Sequence, residues 1–279
     1  MELGAAGKPK LSVSIIITSY NQLSYLRMLV SSLERQTVGG FEIIVADDGS
    51  SDGTAEYCAS KASSGLIFVT QADEGYRKSR ILNEALHRSS GPYLIFLDSD
   101  VILEKHFVED HLALRAPAAF VCGRRVDLGP GISSQLSESS VRAGEFDRIW
   151  NHELMISALK KDTRGLKRGL RIAAPWLRNL MGYNRPIDIL GSNFGAWKQD
   201  IIEVNGFNEG LESYWGEDGD LFIRLRNSGK QAINAKGMCV QYHVFHPRRE
   251  PNPETVRLVE ALLKRTDYRV CEKGYRSRF

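Results

Sequence analysis

With 279 residues, 42% of them hydrophobic and 25% charged, the chain has ordinary globular composition and enough length to bury a large core. A formal charge of +3 and a pI near 8.6 are too mild to imply a nucleic-acid partner. Four cysteines, Cys58, Cys122, Cys239 and Cys271, stand without CxxC spacing, which argues against a zinc site or a disulfide framework and fits a reducing compartment.

The opening MELGAAGKPK holds no apolar run of signal-peptide length. No stretch reaches the roughly 18–20 apolar residues that a spanning helix needs. The expectation is a soluble, cytoplasmic protein, attached at most to the inner face of the cell membrane. Val13–Thr18 (VSIIIT) is a β-branched run that predicts a first strand, and Leu23–Arg35 carries apolar residues at helical spacing. Phe41–Ala46 (FEIIVA) predicts a second strand, followed by the turn-rich Asp47–Gly53 and a short helix near Thr54–Ala62. Leu66–Thr70 reads as a third strand, Ser79–His87 as a helix and Tyr93–Leu97 (YLIFL) as a fourth strand. Apolar runs of this length, separated by helices, imply parallel strands covered on both faces. Ligands in such sheets bind beyond the carboxyl ends of the strands, where the polar clusters of this region fall.

The middle is less regular. Ala118–Val126 predicts another strand and Ala143–Leu159 a helix. Lys160–Arg185 gathers eight Lys and Arg against one acid, Asp162, a local charge of +7 that leaves −4 for the rest of the chain. Within it, Leu166, Leu170, Ala173, Leu177 and Leu180 follow a helical stripe interleaved with Lys167, Arg168, Arg171 and Arg178. That pattern suits an anionic bilayer surface or a phosphorylated lipid acceptor, although Gly165, Gly169 and Pro175 interrupt it and a solvated loop is the plain alternative. Order returns with Gly191–Trp197, a helix near Gln199–Val204 and a helix over Leu221–Asn227. Val240–His243 predicts a last strand and Pro253–Arg265 a closing helix. There is no internal repeat or low-complexity linker, so 1–279 reads as a single domain.

Four clusters could carry chemistry. Asp98-Ser99-Asp100 follows the buried strand YLIFL, and carboxylates at i and i+2 can aim oxygens at one hard divalent cation, Mg²⁺ or Mn²⁺. A DxD standing alone is more often a helix cap. In VADDGSSDGT (45–54), Asp47 or Asp48 can accept from a base N–H or a ribose hydroxyl, while Asp52 caps the next helix and the glycines and serines form turns. In WGEDGD (215–220), a carboxylate beside Trp215 is a reasonable general base for an acceptor hydroxyl, against the plain reading of an acid-rich helix start. His243 and His246, three apart in YHVFHP, could be metal ligands, phosphate donors or packed structural residues. No GxGxxG follows the first strand, and GxxxxGK[ST] and HExxH do not occur, so dehydrogenase, P-loop and zincin readings lose their signatures.

Taken in order, VSIIITSYNQ, VADDGSSDGT, DEGYRKSRILNEAL, FLDSD, GSNFGAWKQDIIEVNGFNE and WGEDGDLFIRL resemble the family 2 glycosyltransferases of GT-A fold. The closing YHVFHP resembles a bacterial subgroup of surface polysaccharide and lipopolysaccharide assembly. The resemblance spans Ser12 to about Pro247, apart from roughly 120–190. It implies a GT-A-like (Rossmann-like) α/β domain with a mostly parallel central sheet flanked by helices. Residues 1–115 would form a nucleotide-binding half, 116–250 an acceptor and metal half with the basic insert 160–185, and 251–279 a C-terminal helix and tail.

Carried over by position, Thr18, Tyr20 and Asp48 or Asp47 would hold the base and ribose, with Arg80 near the nucleotide and phosphates. Asp98, with Ser99 beside it, would contact ribose or donor sugar, and Asn193 would face the donor sugar. Asp100 would ligate Mn²⁺ or Mg²⁺, with His243 or His246 a further metal or diphosphate contact. Asp218 would be the general base, with Glu217 and Trp215 shaping the acceptor pocket. The implied reaction is inverting transfer from a nucleotide sugar, most commonly a UDP-sugar in this family, to a hydroxyl of a glycan or lipid-linked acceptor. Two alternatives stand beside it. One is a non-catalytic nucleotide- or sugar-binding module, which would need no base. The other is a sugar nucleotidyltransferase, whose Gly-rich phosphate loop is missing here.

Overall fold

A computed structural model describes residues 12–147, 152–212, 214–247 and 250–278. Its strands are β1 (Val13–Ser19), β2 (Phe41–Asp47), β3 (Leu66–Thr70), β4 (Tyr93–Asp98), β5 (Val101–Leu103), β6 (Ala119–Cys122), β7 (Val126–Asp127), β8 (Phe194–Trp197), β9 (Gln231–Asn234) and β10 (Gln241–His243). The helices are α1 (Leu23–Leu33), α2 (Thr54–Ser60), α3 (Lys78–Arg88), α4 (Phe107–Leu114), α5 (Pro130–Ser133), α6 (Glu138–Ala143), α7 (His152–Leu159), α8 (Pro175–Leu180), α9 (Lys198–Glu203), α10 (Glu217–Asn227) and α11 (Pro253–Leu263). No helix among the described residues is long and apolar enough to cross a membrane. All four cysteines are buried and unpaired.

Seven strands form the central sheet in the order β3-β2-β1-β4-β8-β6-β9. The first four neighbours are parallel, β8 runs antiparallel to both β4 and β6, and β6 pairs parallel with β9. The alternation of β1 explains its two-sided burial: Ile15 and Ile17 pack with Leu26, Leu29 and Leu33 of α1, whereas Ile16 meets the face covered by Ile81, Leu82 and Leu86 of α3. Fully burying such a side chain contributes about 1.5–3 kcal/mol, so strands apolar at every position are stable only with helices on both faces. Across the β4–β8 pair, Phe96 stands opposite Phe194 and the rings stack at 4.5 Å. A second sheet, in the order β5-β10-β7, rises beside the carboxyl end of β4.

Three expectations change. The strand expected over Ala118–Val126 divides into β6 and β7. Asn193 packs so closely on Gly123 that a Cβ there would lie 2.1 Å from its amide. The helix expected over Ala143–Leu159 is interrupted by Gly144, which ends α6 at φ 77°, and α7 begins at His152; residues 148–151 lie outside the described residues. The helical stripe over Leu166–Leu180 is a 3-10 turn at Leu166–Gly169 and then α8, because Gly165 adopts φ 72° and Pro175 can only begin a helix.

Part of the insert's charge also turns inward. Arg171 pairs with Asp110 at 2.6 Å. The buried Arg178 donates to the carbonyls of Lys236 and Asn234 at 2.5 and 2.6 Å.

Candidate active site and metal centre

The parallel register of β1 and β4 puts Thr18 opposite Asp98, and the Thr18 hydroxyl donates to Asp98 Oδ1 at 2.8 Å. Lys78, the first residue of α3, reaches the same oxygen at 2.8 Å and Glu217 Oε1 at 2.9 Å. Burial would favour the neutral amine, but the carboxylates of Asp98 and Glu217 outweigh it and hold the Lys78 pKa well above the ordinary range. Lys78 was not among the residues expected from the sequence. Its only signal there is a basic run, Arg77, Lys78 and Arg80, at a helix start. Only the fold shows which of the three turns toward the acids.

Glu217 and Asp218 open α10, and their placement follows from the backbone before them. Trp215 and Gly216 adopt φ 88° and 105°, and a Cβ on Gly216 would lie 2.5 Å from Val259 Cγ2. Asp218 accepts the Gly191 N–H at 3.0 Å through Oδ2 and the Gly219 N–H at 2.9 Å through Oδ1. Burial, with the charge of Glu217 added, pushes its carboxyl up to about 6; Lys78 and the two N–H groups oppose that shift. Thr18, Lys78, Gly191, Glu217 and Asp218 line one small cavity over Phe207. Trp215, two residues before Glu217, is 40% exposed.

The small sheet builds a second cluster. Asp100 immediately precedes β5, and the antiparallel β5–β10 register puts His243 opposite Val101. His246 Nε2 lies 2.9 Å and His243 Nε2 3.5 Å from Asp100 Oδ2, and ligand atoms of the three residues fall within 4.8 Å of one another. Both histidines therefore converge on the carboxylate. Burial opposes the Asp100 charge, but the two imidazoles outweigh it and hold its carboxyl below the usual range. Asp100 Oδ1 is buried without a hydrogen-bond partner among the described residues. One orphaned carboxylate oxygen beside two imidazole nitrogens fits a divalent cation of the Mn²⁺ type, with positions left for substrate oxygens. Asp127, in register with His243 through β7, comes within 3.6 Å of its Nδ1 and can orient the ring. Asp127 had no motif to announce it.

The other expected residues divide. Asp48 Oδ2 accepts the Arg77 N–H at 3.0 Å and its Oδ1 takes the Gln71 amide. Asp47 is 1% exposed and binds its own turn, taking the N–H groups of Gly49 and Ser50 and the Thr70 hydroxyl. Of the two, Asp48 is the one at the carboxyl end of β2 that links to α3. Asp52 was expected to cap α2, but Gly53 stands at the N-cap; Asp52 instead accepts from Thr54 at 2.6 Å and takes the Leu23 N–H at 2.7 Å, so it ties the loop to the start of α1. The Tyr20 hydroxyl donates to Asp73 at 2.9 Å. Arg80 is half-exposed beside Glu74.

Two expectations are corrected. Ser99 is buried and donates to Gln22 at 2.6 Å, holding the DxD turn. Asn193 is fully buried, its amide donating to the carbonyls of Arg124 and Cys239 at 3.0 Å and its oxygen facing His111 at 3.2 Å. It joins the strand ends and lines no ligand cleft, because every polar atom of its side chain is satisfied inside the protein.

Sequence comparison matches a family model described as "Glycosyl transferase family 2" over residues 14–163, and one described as "N-terminal domain of galactosyltransferase" over residues 178–247. Among curated relatives, the Bacillus subtilis glycosyltransferase YfnE is 25% identical over 88% of this chain and 68% of its own length. Validoxylamine A glucosyltransferase of Streptomyces hygroscopicus subsp. jinggangensis is 28% identical over 78% of this chain and 52% of that protein. Chondroitin synthase of Escherichia coli is 33% identical over 85% of this chain and 35% of that protein, so the chain spans about half or less of the length of these last two.

Among solved structures, S. aureus TarS 1–349 in complex with UDP-GlcNAc matches with a TM-score of 0.60 at 16% identity, covering 96% of this chain and 69% of that one. The mannosyltransferase PcManGT from Pyrobaculum calidifontis, in complex with GDP-Man and Mn²⁺, matches with a TM-score of 0.57 at 15% identity, covering 88% and 61%. At these identities the likeness shows the fold, an α/β domain of GT-A type.

Proposed function

The chain belongs to glycosyl transferase family 2 and is a glycosyltransferase; from that premise we propose an inverting, divalent-metal-dependent transfer from a UDP-sugar to an acceptor hydroxyl. The observation that carries this reading is Asp218, a carboxyl with a pKa raised to about 6 in a cavity shared with Thr18, Lys78 and Glu217. A base poised there is ionised near neutrality yet basic enough to accept a proton. As the acceptor oxygen attacks the anomeric carbon, its proton passes to Asp218, the bond to the diphosphate breaks, and the carbon inverts in one displacement. Glu217 and Lys78 hold the carboxylate array around that carbon, and Asp98 faces ribose or donor sugar. Asp48 and Tyr20 take the nucleotide end, and Trp215 offers the acceptor a flat apolar wall. A divalent cation, Mn²⁺ or Mg²⁺, held by Asp100, His243 and His246 would supply neutralising charge for the leaving diphosphate.

The test is thermal unfolding with nucleoside diphosphates, with and without Mn²⁺. UDP at about 100 times its dissociation constant should add roughly 2.7 kcal/mol of stability. No shift with any diphosphate under any metal would overturn the transferase mechanism and leave the non-catalytic module.

The acceptor fits a bacterial surface glycan, of polysaccharide or lipopolysaccharide type, or its lipid-linked precursor. Trp176 and Leu180, one turn apart on α8, are 69% and 77% exposed within the basic insert. We propose that this face rests on an anionic membrane, with the enzyme on its cytoplasmic side.

A further inference from the structure

Lys78 lines the reaction cavity, whereas its neighbours Arg77, Ser79 and Arg80 line a different one of about 250 Å³. The opposite walls carry Glu209 and Glu212, from the loop that leads into Trp215, and Lys273 and Arg278 near the C-terminus. Four cations thus meet two acids. Arg77 pairs with Glu212 at 3.0 Å, Arg80 with Glu74 at 3.4 Å, and Arg278 lies 3.6 Å from Glu209 and 3.9 Å from Glu84, whereas Lys273 has no ion pair among the described residues.

One further feature points to a ligand. Ser79 is 2% exposed, lines this cavity, and its hydroxyl has no hydrogen-bond partner among the described residues. Arg77 stands at the N-cap of the 11-residue α3 and gives it no side-chain cap, while its own N–H is taken by Asp48. A buried, unpaired hydroxyl with guanidinium and ammonium groups arriving from separate segments suits a tetrahedral oxyanion better than a planar carboxylate.

The cavity borders both halves of the reaction centre. Arg77 donates its N–H to Asp48 at 3.0 Å, and Glu212 lies on the segment that carries Trp215, Glu217 and Asp218. We propose that this cavity is an anion subsite for a phosphate group carried by the acceptor, a reading that rests on the transfer reaction proposed above. The site selects phosphate-bearing acceptors before their hydroxyl meets Asp218.

The test holds the donor site filled with UDP and Mn²⁺ and adds glucose 6-phosphate, glucose or inorganic phosphate at matched ionic strength, reading thermal unfolding. Glucose 6-phosphate should raise the melting temperature further and glucose should not. Lys273→Gln and Ser79→Ala should each weaken that effect roughly ten- to hundredfold, as loss of a hydrogen bond to a charged group does, with the UDP shift unchanged. The proposal is overturned if glucose 6-phosphate competes with UDP, if both variants respond as the wild type does, or if inorganic phosphate acts and glucose 6-phosphate does not. A variant-sensitive phosphate effect without any UDP shift would sustain the subsite while removing the donor reading.

Discussion

His246 Nε2 stands 2.9 Å from Asp100 Oδ2 although 146 residues separate the two in sequence. The contact exists because β5 carries the chain from Asp100 straight into a ladder with β10, and the segment after β10 returns to the same carboxylate. Asp100→Ala should therefore remove the Mn²⁺-dependent part of the UDP thermal shift. Asp127→Asn should weaken Mn²⁺ about 10–100-fold, the usual loss when a histidine ligand's partner is removed. A full Mn²⁺ response in Asp100→Ala would put the cation elsewhere.

Asp218→Asn should leave UDP binding intact and lower turnover by about 10²–10⁴. The base acts only without its proton, so wild-type kcat/KM should rise with pH through about 6 and then level off. Initial rates of UDP release from about pH 5 to about pH 8 would show it, and the variant's profile should lose that step. Near-normal turnover by Asp218→Asn would end the assignment.

Lys78→Met should destabilise the fold by about 3–5 kcal/mol at neutral pH, because Asp98 and Glu217 then lose their shared cation. The folded-state pKa of Lys78 is raised, so its stabilisation is fully present below the unfolded value and is lost only as strongly alkaline pH passes the folded one. Urea unfolding at two pH values would measure both effects, and an unchanged midpoint would mean that the three groups do not depend on one another.

Flotation with anionic vesicles at low salt tests the α8 face. Wild type should float with the lipid, and a Trp176→Ser, Leu180→Ser double variant should stay below it with its melting temperature unchanged, since both side chains are exposed. Absence of wild-type binding removes the membrane contact.

The architecture up to β4 was legible in the residues. β1 to β4 and α1 to α3 fall within a residue or two of the runs that predict them, since long apolar strands alternating with amphipathic helices admit few packings. The second half was less legible. β5, β7 and β9 are two to four residues long, too short for periodicity to announce them. Glycine and proline signals in the insert were visible, but the inward turn of Arg171 and Arg178 was not, because it depends on Asp110 and the backbone carbonyls of Lys236 and Asn234.

The sequence by itself determined the family, the order of the blocks and the residue types able to bind a cation or accept a proton, since those follow from local pattern and intrinsic chemistry. The tertiary structure decided which side chains meet. It set Lys78 between Asp98 and Glu217, brought both histidines to Asp100, added Asp127 behind His243, and withdrew Asn193 and Ser99 into the interior. The physical reason is that strand register and helix placement fix distances between residues far apart in the chain, and burial then sets the charge state of each group once it is there.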